Sequence, residues 1–241
     1  MNNIGNLFRF GLFSFLVGCC AAGSIADTKT RVAASQSLSK AVEVEKLRQS
    51  TVAVVSNILG LVLPNCAGVW VETDVVLTAA HCVDESGASF VFISTVDDFE
   101  RSKYKTAAIL AVDEKIDLAL LTVDPNGFPP HPIAQLATTR TFVGDEVHVV
   151  GHTSGYPWTY SKGYIAAVRK DASGPGDKLV DKVLQISAPV WMGNSGGGAF
   201  DKDGKLIGIS SWVSKNGPHL SFFIHTEVIE KFIVREMARR K

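Results

Sequence analysis

From Thr51 onward, short runs rich in β-branched and aromatic residues alternate with turn residues. TVAVVS (51–56), GVWVE (68–72), DVVLTAA (74–80), FVFIST (90–95) and DLALLTV (117–123) form a first group. EVHVVGH (146–152), GYIAAVRK (163–170), KVLQISA (182–188), KLIGISSW (205–212) and LSFFIHT (220–226) form a second. Apolar runs this short, bounded by Gly, Asp, Asn and Ser, predict strands. Between the groups, DPNGFPPHP, Asp124 to Pro132, carries four prolines. Proline has no N–H to give a sheet ladder, so this stretch is a crossover rather than a central strand. Two strand groups across such a crossover predict two β-barrels or a pair of sandwiches. The final stretch, TEVIEKFIVREMARR (226–240), sets Val228, Phe232 and Met237 near one face. It predicts a terminal helix with Thr226 as its N-cap.

The N-terminus follows a different pattern. Arg9 precedes an apolar run from Phe10 to Val17, followed by small residues. That run is too short for a bilayer-spanning helix and predicts a signal peptide. Two cleavage readings compete. LVGC (16–19) is similar to a bacterial lipobox, which makes residues 1–18 the leader and Cys19 the acylated N-terminus. SIA (24–26) fits an ordinary secretory site, with a leader of residues 1–26. The lipobox match falls directly at the end of the apolar run and is preferred. Either reading implies export: to the cell envelope or periplasm as an anchored lipoprotein, or as a secreted protein. Residues 19–50 are then a polar tether with a short helix-compatible piece, SLSKAVEVEKLRQS (37–50).

Composition adds limits. The chain has 241 residues, 46% hydrophobic and 20% charged, with zero formal net charge. That suffices for a substantial core, and it gives no electrostatic footprint for nucleic acid. Membrane contact is expected only through the lipid anchor. Export also gives the cysteines meaning. With Cys19 and Cys20 in the leader region, Cys66 and Cys82 remain, sixteen positions apart. An oxidising compartment makes a disulfide the natural inference, and neither a Cys-x-x-Cys pair nor HExxH supports zinc.

Three residues stand out from their settings. Ser195 lies in VWMGNSGGGAFDKDG (190–204), among glycines that let backbone approach where a side chain would clash. His81 follows an apolar strand and two alanines, and its neighbour Cys82 is tethered by the expected disulfide. The other histidines, 131, 148, 152, 219 and 225, read as surface or satisfied core residues. Asp117 lies between Ile116 and Leu118 at the start of a buried strand. A carboxylate there is costly unless hydrogen-bonded, and an imidazole N–H is a suitable partner. Asp113, in the preceding turn, is the competing choice.

TAAHC, DLALL and GNSGG, in that order, resemble the chymotrypsin/trypsin-fold serine proteases, and GDEVHVVGH with SKGYIAAVRK resembles their bacterial Deg-type branch. The likeness runs from about Thr51 to the C-terminal helix. It implies an all-β fold of two antiparallel six-stranded barrels with a C-terminal helix. The first barrel would span about 51–123, the crossover 124–140, the second barrel about 141–225 and the helix 226–240. It implies a serine endopeptidase acting on polypeptides without metal or cofactor. His81, Asp117 and Ser195 would be its triad, and the amides of Gly193 and Ser195 its oxyanion hole. The Cys66–Cys82 pair matches the family bridge beside the catalytic histidine. Pro189, Val190, Trp191, Met192, Ser211, Trp212, Val213 and Ser221 would wall the specificity pocket. None is acidic, which implies cleavage after small or medium aliphatic residues. Asn194 stands where trypsin-type zymogens keep an aspartate to receive a new N-terminus, which implies activity without a cut at Arg31–Val32. The PDZ domains usual in the Deg-type branch have no counterpart before Lys241.

Two other readings compete. GNSGG also satisfies G-x-S-x-G, the α/β-hydrolase nucleophile elbow, with Asp201 or Asp203 and His219 or His225 as partners. That elbow requires a helix after the serine, whereas Asp203-Gly204 between apolar runs signals a hairpin. A non-catalytic binding module on the trypsin-like fold would usually lack a triad member, and here all three are present.

Overall fold

A computed structural model describes residues 21–58, 61–83, 90–101, 103–176, 178–214 and 220–239. The leader and Cys19 lie outside them. The chain divides into two compact units, one ending at Val42 and one running from Glu43 to the C-terminus. A helix, α1 (Ala21–Gln49), begins in the first and ends in the second. It is longer than the piece expected from SLSKAVEVEKLRQS. Residues 29–36 are exposed throughout, so helical periodicity left no apolar stripe there to read.

Among the described residues the second unit has twelve strands in two closed six-stranded barrels. The first barrel comprises β1 (Thr51–Ile58), β2 (Leu61–Glu72), β3 (Val75–Thr78), β4 (Phe90–Ser94), β5 (Lys105–Asp113) and β6 (Leu118–Thr122). Its order is β1-β2-β3-β6-β5-β4, and antiparallel pairing of β1 with β4 closes it. A short helix, α2 (Val96–Glu100), follows β4 and is capped by Thr95, whose hydroxyl accepts from the Asp98 N–H. The second barrel comprises β7 (Glu146–Gly151), β8 (Thr159–Ser173), β9 (Leu179–Ile186), β10 (Gly198–Phe200), β11 (Leu206–Val213) and β12 (Ser221–His225). It is ordered β10-β11-β12-β9-β8-β7 and closes through β10 and β7. Closure pairs both edge strands of each sheet among the described residues.

Two strands have weak sequence signals. β5 reads KTAAILAVD, in which alanines stand where β-branched residues usually mark a strand, and its burial does not alternate. Pairing with β4 and β6 decides its state. β10 has only three residues, held between β7 and β11.

Each barrel has its own apolar interior. Val52, Trp70, Ile93 and Leu121 fill the first, and Val149, Ile165, Ile186 and Phe223 the second. A third cluster runs between them, from Leu77 and Leu120 through Val150 and Trp158 to Phe200 and Ile224. The C-terminal helix α3 (Thr226–Ala238) adds Val228, Ile229 and Phe232 to that cluster, with Met237 packed against it. His225, not Thr226, is its N-cap: the imidazole Nδ1 accepts from the Glu227 N–H at 3.0 Å. The ring therefore performs the capping usually given to Ser, Thr, Asn or Asp. The crossover contains a single 3₁₀ turn, Pro125–Gly127, and is fastened by Ala134 N–H to Trp70 O and Ala137 N–H to Leu206 O.

Candidate active site

β3 ends at Thr78, and a 3₁₀ turn, Ala80–Cys82, presents His81. Buried Ala79 and Ala80 leave no bulk to push the turn outward, and the Cys66–Cys82 disulfide binds it to β2. Asp117 occupies the last turn position before β6, with φ +60, a left-handed conformation that aspartate tolerates better than most residues. Its side chain is wholly buried, while that of His81 is about one-third exposed. His81 Nδ1 lies 2.9 Å from Asp117 Oδ1 and 3.0 Å from Oδ2, and the His81 backbone N–H donates to Oδ1 at 3.2 Å.

The carboxylate has two further partners. The Ser211 hydroxyl donates to Oδ2, and the Lys178 ammonium lies 3.0 Å from the same oxygen. Burial alone would raise the Asp117 pKa. The hydrogen bond and charge of His81, with help from Ser211 and Lys178, outweigh burial and hold it below the ordinary carboxylate value. An ionised carboxylate only accepts, so Nδ1 carries the ring proton and Nε2 keeps its lone pair free. Asp113, the competing acid, is committed elsewhere: Arg235 of α3 ion-pairs with it at 2.7 Å, and it accepts from the Ile116 N–H.

The loop bearing Ser195 is pinned from both sides. Ala67 N–H donates to Ser195 O at 2.7 Å, and the Gly196 N–H donates to Ser210 O at 2.8 Å. A Cβ at Gly196, where φ is +79, would come within 2.1 Å of Ala67 O and 2.2 Å of Thr78 Oγ1, so only glycine fits between β2 and β3. Upstream, Asn194 N–H donates to Trp191 O, closing a turn with Gly193 at φ +95. The Met192 carbonyl accepts from the Ser154 N–H at 2.8 Å. In a trans peptide the C=O and N–H point in opposite directions, so this bond turns the Gly193 N–H the other way. Among the described residues, neither Gly193 N–H, Ser195 N–H nor Ser195 Oγ has a hydrogen-bond partner.

Asn194 secures this arrangement. It is buried, and its Nδ2 donates to Thr153 Oγ1 at 2.7 Å and to Trp191 O at 3.0 Å. Beside it His152 N–H donates to Gly193 O. The His152 ring is fully buried: Nδ1 accepts from the Trp158 N–H, so Nε2 is the protonated nitrogen and donates to Val52 O at 3.2 Å. Burial, only partly offset by that bond to Val52, pushes its pKa down to about 4. A neutral imidazole thus ties the Gly193 segment to β1 of the first barrel.

A family model for the trypsin-like peptidase domain matches residues 66–209, which include His81, Asp117 and Ser195. The chain belongs to the trypsin-like peptidases. Among relatives, the magnetosome formation protease MamE of Paramagnetospirillum magneticum is 34% identical over 175 residues, covering 70% of this chain and 23% of that protein. The putative serine protease HhoA of Synechocystis is 32% identical over 156 residues, 64% of this chain and 38% of HhoA. A probable periplasmic DegP-like serine endoprotease of Hahella chejuensis is 31% identical over 138 residues, 57% of this chain and 27% of that protein. The chain thus spans less than half the length of each. Among solved structures, the active form of the Rv3671c protease of M. tuberculosis superposes with a TM-score of 0.68 at 25% identity, over 80% of this chain and 82% of that one. The Deg-type likeness read from the motifs agrees with these relatives.

Within this trypsin-like peptidase the expected pocket residues serve varied purposes. Val190 is buried, whereas Trp191 and Met192 are exposed. Pro189 O accepts from the Ser161 hydroxyl, and Ser221 Oγ donates to Ile186 O. Trp212 stacks on Phe222, and Val213 packs against the second-barrel interior. Ser211, assigned to the pocket wall from sequence, also donates its hydroxyl to Asp117. Sequence reading also missed Lys178, a lone lysine near a hairpin tip, and Thr153, the partner of Asn194. Neither has a motif around it.

Proposed function

We propose that this trypsin-like peptidase is an exported serine endopeptidase that cleaves polypeptides through an acyl-enzyme. The reading rests chiefly on one observation: His81 Nδ1 is held by both oxygens of buried Asp117, which leaves Nε2 free to accept a proton. Ser195 Oγ attacks the scissile carbonyl while His81 Nε2 takes its proton. The Gly193 and Ser195 amides receive the developing oxyanion. His81 then gives the proton to the leaving amine, and water releases the acyl group by the same route. The resting Ser195 hydroxyl makes no bond yet, as is common before substrate aligns it. Export follows from the leader pattern of residues 1–18 and agrees with the word periplasmic in a relative's name. Acylation of Cys19 fits the lipobox and awaits mass spectrometry of the mature N-terminus.

Substrate choice follows from the pocket chemistry. Pro189, Val190, Trp191, Met192, Ser211, Trp212, Val213 and Ser221 offer no carboxylate for a substrate cation, which would lie unpaired at a cost of several kcal/mol. Small and medium aliphatic side chains suit it instead. The test is labelling with a fluorophosphonate probe. An adduct mapped to Ser195 is expected, and absence of labelling in folded protein would favour a binding module on the same fold.

A further inference from the structure

Asp117 has more partners than orienting an imidazole requires. Beyond both contacts with His81 and the Ser211 hydroxyl, its Oδ2 meets the Lys178 ammonium at 3.0 Å, the same separation as from Oδ2 to His81 Nδ1. Lys178 comes from the other barrel, at the turn between β8 and β9, and its side chain is only 14% exposed. Two backbone bonds place that turn: Leu179 N–H donates to Lys115 O, two residues before Asp117, and Gly174 N–H donates to Lys178 O. This is therefore a shielded ion pair from a fixed hairpin, unlike an exposed pair between mobile side chains.

The charge count at the site changes as a result. With Asp117 alone, protonating His81 takes the pair from a net charge of −1 to zero. With Lys178 present the cluster starts at zero and protonation leaves it at +1. A buried site disfavours that second outcome. Among the described residues the charged groups bonded to Asp117 are His81 and Lys178. Ser211 on β11 and the Cys66–Cys82 disulfide beside the His81 ring carry no charge, while Glu114 and Lys115 precede Asp117 in its own turn. Nearby Asp113 is paired with Arg235, and Asp181 lies 3.7 Å from Lys231.

We propose that Lys178 is a positioning residue of the His81–Asp117 pair: its ammonium offsets the carboxylate's charge and so disfavours a further positive charge on the His81 ring. It acts through Asp117 and does not touch substrate. The same contact couples the second-barrel hairpin to the acid of the first, so a displacement of that hairpin alters the base. The inference rests on His81 being the base, and its test does not depend on turnover.

The test is the NMR titration of the His81 ring in full-length protein bearing Ser195→Ala, alone and with Lys178→Met, Lys178→Gln or Lys178→Arg. A unit charge about 6 Å away, at an effective dielectric between 20 and 80, corresponds to a shift of about 0.5–2 pH units. Met and Gln are expected to raise the His81 midpoint by that amount, and Arg to leave it near its original value. Gln keeps a donor for Asp117, which guards against misfolding of the Met variant. In the Ser195 background, the acid limb of kcat/KM should move by the same amount. Midpoints for Met and Gln equal to that of the parent, or an equal shift with Arg, would overturn the assignment. A clear Lys178 effect on the ring without fluorophosphonate labelling would instead leave the assignment standing and refute the catalytic reading.

Discussion

Replacing Asn194 by Asp changes one NH₂ group into an oxygen and leaves the size of the side chain nearly intact. The hydrogen bond lost outright is Nδ2 to Trp191 O, whose carbonyl can only accept; the Thr153 hydroxyl, which now accepts from Nδ2, can turn and donate to the new oxygen. The lost bond is worth about 1 kcal/mol net, and repulsion between the new oxygen and the Trp191 carbonyl adds a comparable cost, so the loop forfeits about 2 kcal/mol. The new oxygen would also face the Trp191 carbonyl in a buried position, where an unpaired charge is unfavourable. If that energy orders the Gly193 segment, the ordered population falls by roughly thirtyfold, since about 1.4 kcal/mol corresponds to a factor of ten. The upper limit is loss of one oxyanion donor, about 10²–10³ in kcat. We therefore expect Asn194→Asp to lower kcat/KM on a chromogenic peptide by about 30- to 1000-fold. The near-UV circular dichroism of the barrels should be unchanged. Thr153→Ala, which removes one acceptor, should cost about tenfold or less. Asn194→Asp within threefold of the parent, with no new N-terminus detected, would refute the view that these local bonds order the oxyanion loop.

The remaining predictions concern the acid, the buried histidines and the pocket. Asp117→Asn should lower kcat by about 10⁴ through the wrong imidazole tautomer, whereas Asp113→Asn should affect only stability; the reverse pattern in steady-state kinetics would reassign the acid. His152 and His225 both have pKa values pushed down to about 4, burial being the largest cause in each and Lys182 adding to it at His225. The unfolded chain gains protons below about pH 6.5 while these folded rings stay neutral. Urea unfolding should show full stability above pH 6.5 and a loss of up to about 3 kcal/mol from His152 by pH 4, with His225 acting in the same direction; a flat profile in His152→Gln matching the parent's would contradict this. A peptide-library profile should favour Val, Ala, Ile and Leu before the cut, with only modest selectivity because a methylene is worth about 1–3 kcal/mol; dominance of Arg or Lys would overturn the pocket alignment.

Much of the fold was legible because its strands are short, β-branched and punctuated by turns. The runs around β3 and β6 are almost wholly buried and read as such. β5 was hidden because its alanines carry no β signal, and β10 because three residues cannot show a period. The length of α1 was hidden because its exposed part has no apolar stripe. At the site, His81, Asp117 and Ser195 each stood out by a local conflict: polar groups among apolar residues, or a serine among glycines. Ser211, Thr153 and Lys178 did not, because their roles arise only when barrel closure brings distant turns together. Lys178 is the clearest case, since a lysine near a hairpin tip is ordinarily a solvated residue.

The central claim is that Ser195 attacks peptide bonds with help from His81 and Asp117. The most direct measurement is hydrolysis of an unfolded protein substrate by the purified chain and by its Ser195→Ala and His81→Ala variants, followed by mass spectrometry of the fragments. The account predicts new peptide termini with the parent and a loss of about 10⁶ in kcat with either variant, the two changes together costing no more than one alone. Cleavage that survives Ser195→Ala, or no cleavage by correctly folded parent protein, would contradict it.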